Sequence, residues 1–164
     1  MTRLLLTFGT LGLAGLGWLG MLRGWRRRQR RQLDLPAPAR PSAAAQPVLL
    51  AVPGVWVGTT GAGDWLDRIA VHHLSDRSAA ELVLARDGVH VARPGLEELF
   101  LPLEGIASAG VEKSLAGKVM SGGMLVVTWR LGDRLLASAF RADDHAAHAE
   151  LRDALTALLP VEAA

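Results

Sequence analysis

The residues best placed to do chemistry lie in a few short stretches. In Thr59-Thr60-Gly61-Ala62-Gly63-Asp64-Trp65, two glycines separated by one residue can bring backbone amides close to an anion, but no basic partner stands nearby. Asp64 and Asp67 oppose a phosphate there and no G-K-[ST] follows, so the stretch reads as a tight turn. Trp65 with Leu66 beside it suits a peptide grip or membrane insertion, but burial in a core is the expectation for an aromatic of this size. Lys113 and Lys118 lie on a second loop, closed by Ser121-Gly122-Gly123, and can touch a headgroup or an acidic partner. Two solvated lysines are the simpler reading. Thr59, Thr60, Gly61, Gly63, Asp64, Trp65, Arg68, Lys113 and Lys118 form the candidate binding surface.

The letters of catalysis are present without its spacing. His72 and His73 are adjacent, so on a strand they face opposite sides and cannot chelate together. His145 and His148, three apart on a helix, share a metal with Glu150 only by distortion, and read as a polar helix flank. Ser75-Asp76 beside the histidines lacks a nucleophile elbow, and Gly105-Ile-Ala-Ser-Ala-Gly110 misses G-x-S-x-G by one residue. The chain has no cysteine, which removes thiolate catalysis and cysteine-held metals. The expectation is a non-enzyme with no catalytic residue, metal or cofactor.

The elements that position these residues are mostly short strands. Val55-Trp56-Val57 reads as a strand, the segment from Trp65 to Leu74 as another, and Glu81–Arg86 with Val89–Arg93 as a hairpin about Asp87-Gly88. Leu99-Phe100-Leu101 and the segment from Gly105 to Val111 follow. Leu125–Arg130 and Arg134–Phe140 then flank Leu131-Gly132-Asp133 as a second hairpin. From Asp143 the period changes: Ala147, Leu151, Ala154, Leu155 and Leu158 share one helical face, with Asp143 or Asp144 as cap and Pro160 as stop. About seven antiparallel strands in a sandwich or barrel with a C-terminal α-helix are expected over residues 48–160.

The N-terminal quarter is different. Residues 4–22 carry no charge and, at roughly 28 Å of helix, match a bilayer core. Residues 23–31 then carry six arginines, Arg23, Arg26, Arg27, Arg28, Arg30 and Arg31, a basic stop segment on the cytoplasmic side. Trp18 and Trp25 bracket the inner end at headgroup level. The reading is a transmembrane helix anchored in the cell membrane, N-terminus outside and domain cytoplasmic. A cleaved signal peptide fits less well, because the basic run follows the apolar one and no A-x-A-like site follows it. The glycines from Gly9 to Gly20 contain no G-x-x-x-G, and Gly15-Leu-Gly-Trp-Leu-Gly20 matches a dinucleotide fingerprint by letter only. Residues 32–47, rich in proline and alanine, read as a semi-rigid linker.

Charge divides the same way. The net charge of +2 is the sum of +7 over residues 1–45 and −5 over residues 46–164. An acidic domain has no broad electrostatic footprint for nucleic acid.

Seven short strands followed by one helix resemble the pleckstrin-homology-like (PH-like) fold. Gly58–His72, Gly88-Val89, Glu98-Leu-Phe-Leu-Pro102, Ala116-Gly-Lys118, Val126–Asp133 and Phe140-Arg141 are similar to the single-span PH-like domain membrane proteins of high-GC Gram-positive bacteria. The resemblance implies no established activity. The loop between the first strands offers only Arg68 and Arg77, fewer basic residues than phosphoinositide-binding PH domains carry. The expected function is a membrane-anchored cytoplasmic binding or scaffolding module. It recruits a protein partner to the inner membrane face, with the lipid bilayer as its other partner and no nucleic acid. A lipid-responsive surface module and an accessory subunit of an export or transport assembly are the alternatives.

Overall fold

The computed structural model describes residues 2–41, 47–115 and 118–160, with side chains described except at residues 1–6, 28 and 113–121. The chain forms two compact units, residues 1–34 and 35–164.

The first unit is a single helix, α1 (Thr2–Arg31), in which the arginine run continues the helix instead of ending it. Among the described residues no helix is long and apolar enough to cross a membrane. This corrects the expected span over residues 4–22. Gly9, Gly12, Gly15, Gly17 and Gly20 add length without apolar side chain, Thr7, Thr10 and Trp18 carry polar groups, and Arg23 ends the run. Phe8, Leu11, Leu13, Leu16, Trp18, Leu19, Met21 and Trp25 are nonetheless all exposed.

Among the described residues the second unit has eight strands: β1 (Val48–Gly61), β2 (Asp64–Arg68), β3 (Ser78–Ala85), β4 (Gly88–Ala92), β5 (Leu99–Pro102), β6 (Ile106–Leu115), β7 (Lys118–Leu131) and β8 (Arg134–Ala142). All pairings are antiparallel, in the order β5-β4-β3-β1-β8-β7-β6, with β2 paired to β1 off this path. Helix α2 (Ala147–Leu158) follows β8.

Strand β1 holds the two halves of the sheet together. Its first part pairs with β3 through Val48–Trp56, and its second with β8 through Gly54–Gly61. A register shift between Trp56 and Gly58 leaves Val57 as an extra residue opposite β8. Such a bulge bends the strand so that one chain can serve both half-sheets. Gly54 is required where they join, because a Cβ there would meet the Arg141 carbonyl oxygen and Phe140 Cζ.

The main core lies between the half-sheets and under α2. Trp56, Leu82, Val91, Leu101, Leu125, Val127, Trp129, Leu136 and Phe140 meet Leu151 and Leu155 there. A smaller cluster on the other face of β1, β7 and β8 contains Val57, Met124, Val126, Ala137 and Ala139. β7 is therefore buried on both faces, which explains its nearly continuous apolar run. Leu35, on the segment expected to be linker, is 4% exposed and belongs to the main core. Residues 42–46 of that segment lie outside the described residues.

Several local expectations are corrected. The first hairpin turns on Arg86-Asp87, since Ala85 pairs with Gly88. The second turns on Gly132-Asp133, since Leu131 pairs with Arg134. Ser121-Gly122-Gly123 lies inside β7, where Gly122 and Gly123 adopt φ of 94° and 76°. Strand β2 ends at Arg68, and residues 72–75 are turn, with His72 and His73 both at φ 55°. α2 starts at Ala147, preceded by a turn in which the Asp144 carboxylate accepts the Ala146 amide.

Candidate functional site

The stretch expected as a glycine loop is mostly strand. Thr59 and Thr60 end β1 and are fully buried, so neither can touch a ligand. Thr59 serves the core instead: its hydroxyl shares a 2.8 Å hydrogen bond with Ser138, its cross-strand neighbour, and Trp129 Nε1 donates to the same Ser138 Oγ at 2.9 Å. The Ser75 hydroxyl donates to the Thr59 carbonyl, and Trp56 Nε1 to the Leu74 carbonyl, each at 2.9 Å. These bonds satisfy polar groups that burial would otherwise penalise. Ser75 is thereby fixed to the backbone, while His73 Nδ1 lies 2.7 Å from Asp76 Oδ2.

What remains at the surface is the turn Ala62-Gly63 and β2. Gly63 adopts φ 81°, where glycine is favoured, and the Asp64 carboxylate accepts the Leu66 amide at 2.9 Å. Trp65 is 56% exposed and Leu66 60%, contrary to the expected burial. The strand lies off the main sheet path, beyond reach of the core that buries Trp56 and Trp129. Asp67 ties β2 to β8 through Arg134 at 2.6 Å, and Arg68 Nη2 donates to the Ser75 carbonyl at 3.0 Å. The Ala62 amide donates to the Leu135 carbonyl at 2.9 Å, setting half-exposed Leu135 at the base of the turn. The result is an apolar tip on a short strand braced by one ion pair.

Lys113 and Lys118 belong to the β6–β7 hairpin, with Lys118 opposite Leu115; their side chains lie outside the described residues. That hairpin begins β7, whereas Gly61 aligns through Leu136 with Trp129 near its end. At about 3.3 Å per residue, the two halves of the candidate surface are roughly 35 Å apart along the strand. They do not form one site.

The histidines are also redistributed. His148 is 1% exposed, not on a polar flank, and its Nε2 accepts the Ala142 amide at 2.9 Å. Burial first, and then the His145 and Arg141 charges, push its pKa below the usual histidine value. Sequence reasoning missed His90 on β4, which lies 3.1 Å from both Asp87 and Glu98 and packs its ring 4.6 Å from that of Phe100. No local spacing reveals this cluster, because β-pairing brings Glu98 to it. Among the described residues, no group of three His, Asp or Glu side chains could hold a metal ion.

The sheet order and closing helix define a PH-like domain. Residues 34–156 match the model of a family described as bacterial PH domain-like, and the chain belongs to that family. Among solved structures it is similar to a chain of the 8S snRNP assembly intermediate, at 10% identity and TM-score 0.50, covering 78% of this chain and 94% of that one. At that identity the likeness concerns the fold. No curated protein matches the chain.

Proposed function

We propose that the domain is a binding or scaffolding module that engages a protein partner through the tip formed by Trp65 and Leu66. The observation that carries this reading is two adjacent large apolar side chains, each more than half exposed, on a strand that pairs only with β1, off the main path of the sheet. Exposed tryptophan is costly to leave in water and is enriched where interfaces close. Asp64 beside it disfavours an anionic lipid surface, and Asp67 is already paired with Arg134, which favours protein as the partner of this tip. The module acts by recognition, without catalysis or cofactor.

The test is a photo-crosslinking residue placed at Leu66 in cells, with Arg152 on α2 as the remote control position. The expected outcome is an adduct specific to position 66 that is lost on Trp65→Ala. Equal adducts at both positions would remove the tip from consideration.

A second reading concerns α1. Its exposed apolar side chains precede Arg23, Arg26, Arg27, Arg30 and Arg31, a pattern that favours attachment to an anionic membrane surface at the cytoplasmic face. Flotation of the full chain with vesicles containing anionic lipid tests it. Binding that disappears when these arginines are replaced by glutamine supports the reading, and unchanged binding sinks it.

A further inference from the structure

A cleft lies on the outer face of β1, β3 and β4, away from the Trp65 tip. It has a volume of about 580 Å³ and is lined by Pro53, Ala79, Ala80, Glu81, Ala92, Pro94, Leu96, Glu98 and Asp143, with Gly54 and Arg93. Strand register fixes its centre. Pro53 aligns with Glu81, and Glu81 with Ala92, so the three share one face, with Ala79 two residues before Glu81 on that same face. Glu81 thus stands exposed in a bed of alanine and proline, none of which can answer its charge. The Asp143 amide donates to the Pro53 carbonyl at 3.1 Å, setting a second carboxylate at the β1 side. Glu98, which precedes β5, lies at the β4 side with one oxygen 3.1 Å from His90 Nδ1.

One lining residue is positive, and its charge is already engaged. Arg93 is 6% exposed, with Nη1 donating to the His73 carbonyl at 2.7 Å and Nη2 to the Glu97 carbonyl at 3.3 Å. Its Nε is buried with no partner among the described residues. Two open carboxylates, Glu81 and Asp143, with Glu98 held by His90 and one tethered guanidinium, leave the cleft net negative.

We propose that this cleft docks an arginine- or lysine-bearing peptide segment of a partner protein. A cationic side chain with an aliphatic stem matches both parts of the lining: the stem lies on Pro53, Ala79, Ala92 and Pro94 while the head meets Glu81 and Asp143. The volume is in the range of small-ligand pockets, enough for one such side chain and its flanking backbone. This site is independent of the Trp65 tip, so either can fail without the other.

The test measures binding of acetyl-Gly-Ala-Arg-Ala-Gly-amide to the full chain by calorimetry. Its controls are the citrulline peptide, which keeps the shape and removes the charge, and spermidine. The arginine peptide is expected to bind at least tenfold more tightly than the citrulline peptide, and to weaken severalfold between 0.05 and 0.5 M salt. Glu81→Gln with Asp143→Asn should weaken it at least fivefold, whereas Glu104→Gln, outside the cleft, should not. Glu81 and Asp143 are exposed and their side chains hold no bond among the described residues, so circular dichroism of the double variant should match the parent. Absence of binding, equal binding of the citrulline peptide, tighter binding of spermidine, or indifference to the double variant would overturn the proposal.

Discussion

At the scale of single residues, buried polar groups are the most consequential features. Ser138 Oγ takes the Trp129 indole proton and shares a hydrogen bond with Thr59, so one hydroxyl serves β7, β8 and β1. Ser138→Ala leaves a buried indole N–H without its acceptor and should cost about 1–3 kcal/mol in denaturant unfolding. An unchanged midpoint would mean that the indole finds another acceptor. His148 gives a pH signature of defined sign. Its folded pKa is lowered, chiefly by burial, so the unfolded chain binds more protons once pH falls below the ordinary value of about 6.5. Its contribution to stability is complete above that pH and declines as pH falls below it, by up to about 1.4 kcal/mol per pH unit until the folded state protonates. His148→Gln should flatten this part of the stability profile, and a profile of equal slope would assign the acid sensitivity elsewhere. Trp65→Ala, by contrast, should change stability by under about 0.5 kcal/mol, because its side chain is mostly in solvent.

At the scale of elements, glycines show how far local pattern carries. Asp87-Gly88 identifies the β3–β4 hairpin, yet the turn is Arg86-Asp87 and Gly88 is a strand residue at φ 150°. A Cβ on Gly88 would meet the Leu101 carbonyl oxygen of β5, a contact set by the third strand and absent from the hairpin's own sequence. Gly88→Ala should therefore cost more than about 3 kcal/mol, combining backbone strain with displacement of β5. Gly63 at φ 81° has nothing within 4 Å of an added Cβ, so Gly63→Ala should cost only the strain of its conformation, about 1–2 kcal/mol. Equal losses in urea melts would show that β5 yields easily. The same distinction governs legibility. Periodicity finds β3, β4, β7, β8 and α2, because alternating or 3.6-spaced apolar residues face one core. It does not separate Trp56 and Trp129, which are buried, from Trp65, which is not, since exposure depends on whether another layer covers the strand. The Thr59–Gly63 segment misleads for a related reason: threonine and glycine suit a loop, but β8 pairs with Thr59 to Gly61 and makes them strand.

At the scale of the whole molecule, the open question is where the folding unit begins. Pro36, Pro38 and Pro41 read as linker, and β1 starts only at Val48. Leu35 nevertheless lies in the main core, its carbonyl is 2.9 Å from His72 Nε2, and Pro36 lies within 3.1 Å of a Cβ built on Gly132. One leucine within a polar and proline-rich segment has no period to betray it, so its burial is invisible until the sheet is assembled. Two truncated chains separate the possibilities, one beginning at residue 34 and one at residue 48, both lacking α1. The shorter chain loses the Leu35 side chain from the core and the acceptor for His72. It should be less stable by about 2–5 kcal/mol, the range for deleting a buried leucine side chain. Leu35→Ala in the longer chain should reproduce most of that loss, which assigns it to the side chain and not to the length of the segment. Equal unfolding midpoints for the two chains would instead place the start of the cooperative unit at β1, with Leu35 resting on a core already complete without it.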